Sequence, residues 1–206
     1  LSNADNLFPF FDLCRMIMLH DDGMKCMRAN MSGTVEVIID RLLDVMTSCP
    51  SSTALTGTRF LCNLCKDSDP TSIMSMVSHM SFIFNTFKSY LALATTHKLV
   101  RGAIAAFLAN IAYLTSKGKV TDNGIIIEVV NLADELMRLE QMTQESVDVV
   151  MRCCLAIGTV TLSKRSVLSN AIMVSLKKTV ADTKDKFQHK LNANSTCFTE
   201  VISILE

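Results

Sequence analysis

An all-α solenoid, a stack of helical repeats, is the fold class this sequence predicts, and three observations carry the prediction. First, Arg59-Phe60-Leu61-Cys62-Asn63-Leu64 aligns with Ala106-Phe107-Leu108-Ala109-Asn110-Ile111, and that with Arg152-Cys153-Cys154-Leu155-Ala156-Ile157, at offsets of 47 and 46 residues. Apolar helical segments returning every roughly 40 to 47 residues mark HEAT or armadillo repeats, whose units bury their apolar faces only by stacking. Arg15, 44 residues before Arg59, sits in a weaker earlier copy. Second, apolar residues recur at helical rather than alternating spacing along the chain. Third, with three prolines, no tryptophan and no β-rich alternation, no segment reads as sheet.

In chain order, Ser2-Asn3-Ala4 resembles a scar left by tag removal, so residues 1–6 read as scar and linker and residues 7–206 as one domain of a longer protein. The first helix, Asn6 to Leu19, takes Pro9 in its first turn, where a missing N–H costs nothing. A short helix is expected from Asp22 to Ala29. Ser32-Gly33-Thr34 starts another to about Thr47, with Val35, Ile38, Ile39, Leu42, Leu43 and Met46 on one stripe. Pro50-Ser51-Ser52 ends that segment and caps the helix holding Arg59. Asp69-Pro70 is a cap followed by a first-turn proline, opening a helix into the Met-rich run Ile73, Met74, Met76, Val77 and Met80. Phe82 to Tyr90 and Lys98 to Leu114 follow. Gly102, Ala103, Ala105, Ala106, Ala109 and Ala112 give the latter so little bulk that it is expected at the centre of the stack. Ser116-Lys117-Gly118-Lys119 breaks the pattern. Asp122 caps a helix to Leu139, Thr143 one to about Leu162, and Ser163 one to Val180, with Asp182 to Lys186 as a charged turn before the terminal helices.

Composition excludes several classes. Twenty basic residues balance twenty acidic ones, which argues against nucleic-acid or anionic-membrane binding, since both live on excess Lys and Arg. No apolar run is expected to reach the length of a membrane span, and no signal-peptide pattern appears. The eight cysteines sit in apolar helical patterns rather than at loop-rich spacings, so they read as reduced thiols of a cytoplasmic or nuclear protein.

Candidate chemistry is thin. Cys62-x-x-Cys65 sits near its helix end, where the dipole does not stabilise a thiolate, and it lacks the second pair that zinc requires; buried packing is the expectation. The four histidines, His20, His79, His97 and His189, fall in no catalytic motif, and seven scattered glycines build no phosphate cradle. Neither a catalytic residue, a metal nor a cofactor is expected. Met74, Met76 and Met80 read as core filler, and Lys177-Lys178 with the Lys184 to Lys190 stretch as a solvated face. What stands out is Arg59 with Asn63, four apart on one helical face, and the equivalent registers Asn110 and Arg152. Polar groups in an apolar repeat helix are satisfied internally or face a surface. In armadillo arrays the last helix of each repeat lines the concave groove and an Asn ladder pairs with an extended peptide. The arginines would add fork-shaped donors for an acidic group. The alternative is that each Arg caps or bridges neighbouring repeats.

LFPFFDLCRM, TRFLCNLC, AIAAFLANIAYL and MRCCLAIGTV, in this order and spacing, resemble the PUL domain, the C-terminal module of the phospholipase-activating protein family of ubiquitin-pathway factors, found also after thioredoxin-like or deSUMOylase-like peptidase domains. The resemblance covers about Leu7 to Glu206. It implies an armadillo-like solenoid of about six repeats whose basic groove holds the acidic C-terminal tail of the hexameric AAA ATPase segregase, the valosin-containing protein family. The two groove arginines that matter most in the family fall here on Arg59, in an R-x-x-x-N segment, and Arg152, in an R-x-x-x-A-x-G segment. The implied function is that of a non-enzymatic adaptor in ubiquitin- or SUMO-linked turnover, with Arg59, Asn63, Asn110 and Arg152 as partner-binding residues. Alternatives are a helical domain appended to a thiol-dependent or deSUMOylase-like peptidase, and a self-association module.

Overall fold

In a computed structural model, which describes residues 7–20, 22–23, 25–26, 33–66, 70–93, 97–141, 143–191 and 195–206, the expected helical spacing is realised as an all-α fold of the solenoid class. The helices are α1 (Phe8–Ile17), α2 (Thr34–Val45), α3 (Ser51–Leu64), α4 (Pro70–Ser78), α5 (Met80–Leu91), α6 (Lys98–Ser116), α7 (Asn123–Leu139), α8 (Gln144–Lys164), a 3₁₀ turn (Arg165–Val167), α9 (Asn170–Leu191) and α10 (Ser195–Ile204). No strand occurs among the described residues. Of the short helix expected from Asp22, residues Asp22, Gly23, Lys25 and Cys26 are helical and the rest lies outside the described residues, as do the expected scar and the cap at Asp69. The chain divides into two units, Leu1–Phe107 and Leu108–Glu206.

In the first unit Pro9 stands in the first turn of α1, as its missing N–H predicts. Helix α2 is entered through Gly33 at φ 81°, a left-handed conformation that glycine accepts without a Cβ clash. Pro50, not a serine, is the N-cap of α3, and no side chain caps it. Helix α1 packs on α3, α2 on α3, α4 and α5, and α4 on α3 and α5. Their shared core is Phe11, Ile39, Leu42, Met46, Phe60, Leu61 and Leu64, joined by Met76, Met80 and Phe87, all fully buried. The contact between α2 and α3 is close because Gly57 carries no side chain. A β-carbon there would lie 2.1 Å from Leu42 Cδ1. Phe87 meets Phe107 edge to face, with centroids 5.6 Å apart and planes at 85°. The methionines split: Met76 and Met80 fill the core while Met74 is exposed.

In the second unit the two expected caps form. Asp122 Oδ1 accepts from the Ile125 N–H at 2.9 Å, and Thr143 Oγ1 from the Ser146 N–H at 3.3 Å. The C-terminal third departs from expectation. Helix α8 runs past Ser163, whose hydroxyl bonds back to the Thr159 carbonyl at 2.7 Å, and it is Ser169 whose oxygen accepts from the Ile172 N–H at the start of α9. The expected turn over Asp182 to Lys186 is absent, because α9 continues through it to Leu191. Met173, Leu176, Thr179, Val180, Thr183, Phe187 and Leu191 hold one buried stripe across that stretch. The charges are the outer face of the same helix, and no glycine or proline interrupts them. Helices α7, α8, α9 and α10 pack around Val129, Leu136, Val150, Cys153, Ile157, Val180, Phe187 and Phe198.

Two stretches, Lys98–Ser116 and Ser146–Val167, are long and apolar enough to cross a membrane, with mean hydropathy 1.4 and 1.5. This differs from the expectation that no apolar run reaches such a length; the few charges in each stretch, Arg101 and Arg152 among them, do not lower the average enough. In both stretches more than half of the apolar window is buried within the fold, at 56% and 61%, and a core helix meets the same test of length and composition.

Candidate functional site

Helix α3 is almost wholly enclosed. From Thr53 to Cys65 every residue is buried except half-buried Leu55 and exposed Arg59. Of its three buried threonines two bond back along the helix, Thr58 Oγ1 to the Ala54 carbonyl at 2.8 Å and Thr56 Oγ1 to that of Ser52 at 2.9 Å, while Thr53 Oγ1 has no hydrogen-bond partner among the described residues. Arg59 makes no hydrogen bond or ion pair with the described residues, so its fork of donors points at solvent from an otherwise closed helix.

Asn63, one turn on, has an internal partner. Its Nδ2 donates to the Arg15 carbonyl at 3.2 Å. That carbonyl lies in the last turn of α1, where oxygens lack helical partners, and the Leu19 N–H, four residues on, turns to Met16 instead. Asn63 therefore caps α1 and holds it on α3, where the repeat logic expects an amide facing a peptide. Asn63→Ala should cost about 1–3 kcal/mol of stability, the penalty for stranding a part-buried carbonyl, and denaturant titration will read it. Arg15 is itself engaged, with Nε and Nη2 on Asp12 Oδ1 at 3.0 and 2.8 Å.

In the second unit Asn110 on α6 and Arg152 on α8 are both half-buried. Arg152 Nη2 reaches Asp148 Oδ2 at 2.9 Å, one turn back on the same helix. Such an exposed i,i+4 pair contributes only a few tenths of a kcal/mol.

The family profile of the PUL domain matches residues 3–203. The chain belongs to the PUL domain family. PUL domains are helical protein-interaction modules. Comparisons with curated proteins and with solved structures gave no match.

Other polar groups of this PUL domain have structural partners. Cys62 and Cys65 are buried, with sulfurs directed at the Ala103 and Leu61 carbonyls, each at 3.5 Å, and Cys65 also meets Met76 Sδ at 3.7 Å. Burial, with Cys62 alongside, pushes the Cys65 thiol well above its ordinary value, so it is protonated and inert. His79 does have neighbours that no sequence motif announces: Nε2 lies 3.2 Å from Asp40 Oδ1, and Nδ1 lies 2.8 Å from the Ser75 carbonyl and 3.1 Å from Ser78 Oγ. Because the carbonyl can only accept, Nδ1 carries hydrogen and cannot take a proton from Ser78. The trio ties α2 to the α4–α5 junction and is not set up as a nucleophile and base. Among the described residues no group of His, Cys, Asp and Glu could hold a metal ion.

The basic stretch of α9 lies on the solvated face of the helix as expected, with Lys178, Lys186 and His189 exposed. Lys178, Thr179, Asp182, Thr183 and Lys186, at i, i+1, i+4, i+5 and i+8, line a cleft of about 320 Å³ with Met137 and Arg138 of α7. Lys186 Nζ donates to the Glu140 carbonyl, and Arg138 Nη2 binds Asp134 at 2.8 Å and Ser175 at 3.1 Å. Two of its three cations are thus already committed.

Proposed function

We propose that this PUL domain is a non-enzymatic adaptor that docks the acidic C-terminal tail of the hexameric AAA ATPase segregase, the valosin-containing protein family, in ubiquitin- or SUMO-linked protein turnover in the cytoplasm or nucleus. The observation that carries the reading is Arg59, the exposed and unengaged guanidinium of an otherwise enclosed helix. A core helix gains nothing from an arginine there, whereas a peptide carboxylate meets a bidentate donor carried on an enclosed helix. Arg152 and Asn110 at the equivalent register are further candidate donors on the second unit. Asn63 contributes by seating the helix that presents Arg59.

Titration of a fluorescent peptide of the ATPase C-terminus tests the reading. Saturable binding that weakens as salt rises from low to physiological strength is expected, because charges in a partly solvated site are screened over about 10 Å at 0.1 M. No binding at low salt, or affinity indifferent to salt, would refute an acidic ligand.

A further inference from the structure

Helices α8 and α10 pack side by side in the second unit, and two contacts one turn apart fix their register. Cys154 Sγ on α8 lies 4.0 Å from Cys197 Sγ on α10. One turn on in both helices Gly158 faces Val201, where an added β-carbon would come within 2.7 Å of Val201 Cγ2. Both pairs advance in the same direction, so the helices run parallel here. The absent side chain at Gly158 is what lets α10 approach closely enough to bring the sulfurs together. Farther along, Arg165 Nη1 donates to the Ile204 carbonyl and pins the C-terminal end of α10.

The two thiols are unequal. Cys154 is fully buried, whereas Cys197 is half-buried and open to a small solute. A hydrogen bond from Cys154 favours the Cys197 thiolate, pulling that thiol down to about 7, while the same contact and burial push Cys154 far up. A reachable sulfur with thiolate character beside a protected second sulfur is the arrangement of a peroxide-reactive cysteine with its resolving partner. Cys62 and Cys65, a pair close in sequence, are both buried and lack the reachable member.

We propose that Cys197 is an oxidation site for hydrogen peroxide and that Cys154 resolves it into a disulfide tying α10 to α8. The Cys197 thiolate attacks one peroxide oxygen; the S–O bond forms, the O–O bond breaks, and the departing hydroxide takes a proton to leave as water. Cys197 is then a sulfenic acid. Cys154 sulfur attacks it, the S–S bond forms as S–O breaks, and the Cys154 proton leaves with the hydroxyl as a second water. One peroxide is reduced to two waters as two thiols are oxidised to one disulfide. The sulfurs have to close from 4.0 Å to about 2.05 Å. A dithiol reductant reverses the bond.

The test is to treat the 206-residue chain with stoichiometric hydrogen peroxide and map its peptides by mass spectrometry without reduction. Linked peptides carrying Cys154 and Cys197, lighter by two hydrogens and separated by dithiothreitol, are expected in the wild type. Cys197→Ser should abolish the link and slow peroxide consumption, and Cys154→Ala should leave Cys197 as a sulfenic acid that dimedone traps. The wild-type map does not depend on either variant folding. Thiols at both positions after treatment, or dimedone adducts confined to other cysteines such as exposed Cys26, would overturn the assignment.

Discussion

Arg59→Ala is expected to weaken binding of the ATPase tail peptide by about 1.5–3 kcal/mol, roughly ten- to 150-fold, while the melting transition stays in place. The affinity loss follows from removing a charged, two-pronged donor. The intact fold follows from exposure: Arg59 contacts no polar partner among the described residues, so its removal strands nothing. Arg59→Lys should recover only part of the loss, since an ammonium keeps the charge and loses the planar fork. Arg152→Ala should act in the same direction at the lower end of that range, because Asp148 competes for its guanidinium at 2.9 Å. Unchanged affinity in both alanine variants would remove the arginines from the binding reading. Lost binding together with a collapsed transition would show that they hold the fold together instead.

Phe107→Ala should lower stability by about 3–5 kcal/mol. The side chain is fully buried, and its edge-to-face partner Phe87 is fully buried too. Truncation therefore loses transfer energy, leaves a cavity and strips Phe87 of an oriented contact. For a chain of this size the midpoint should drop by roughly 6–20 °C. Phe107→Leu, which refills most of the space, should recover much of it. A loss below about 1 kcal/mol in the alanine variant would mean that α6 repacks freely around the gap.

The helical class and most boundaries were legible in the sequence because they rest on local signals. Gly33, Asp122 and Thr143 begin helices where their backbone freedom or side-chain oxygens require. The family was legible in four short apolar strings read in order. Three things were hidden. The Asp182 to Lys186 stretch looks like a turn by charge density alone, yet Thr183 and Phe187 carry the buried stripe through it, and a threonine is easily missed as a stripe member. The partner of Asn63 was hidden for a different reason: Arg15 lies 48 residues away, and which carbonyl lacks a helical donor depends on how α1 ends. The sulfur pair of Cys154 and Cys197 is likewise a product of register between α8 and α10, and spacing in the chain does not reveal it.

The Asn63 bond to the Arg15 carbonyl changes how the first helix should be regarded when the chain is trimmed or digested. A segment near a terminus invites treatment as a dispensable leader, but α1 is a stave of the first unit. Phe11 fills the core beside Phe60, and the last turn of α1 is closed by an amide one turn from Arg59. A shorter product beginning after Leu19 would strip α3 of its cover on that side and leave the Asn63 amide without its acceptor. The arginine would then stand on a helix whose other faces had also become wet. A protease that nicks before α2 would thus expose the helix that carries Arg59 without cutting that helix itself.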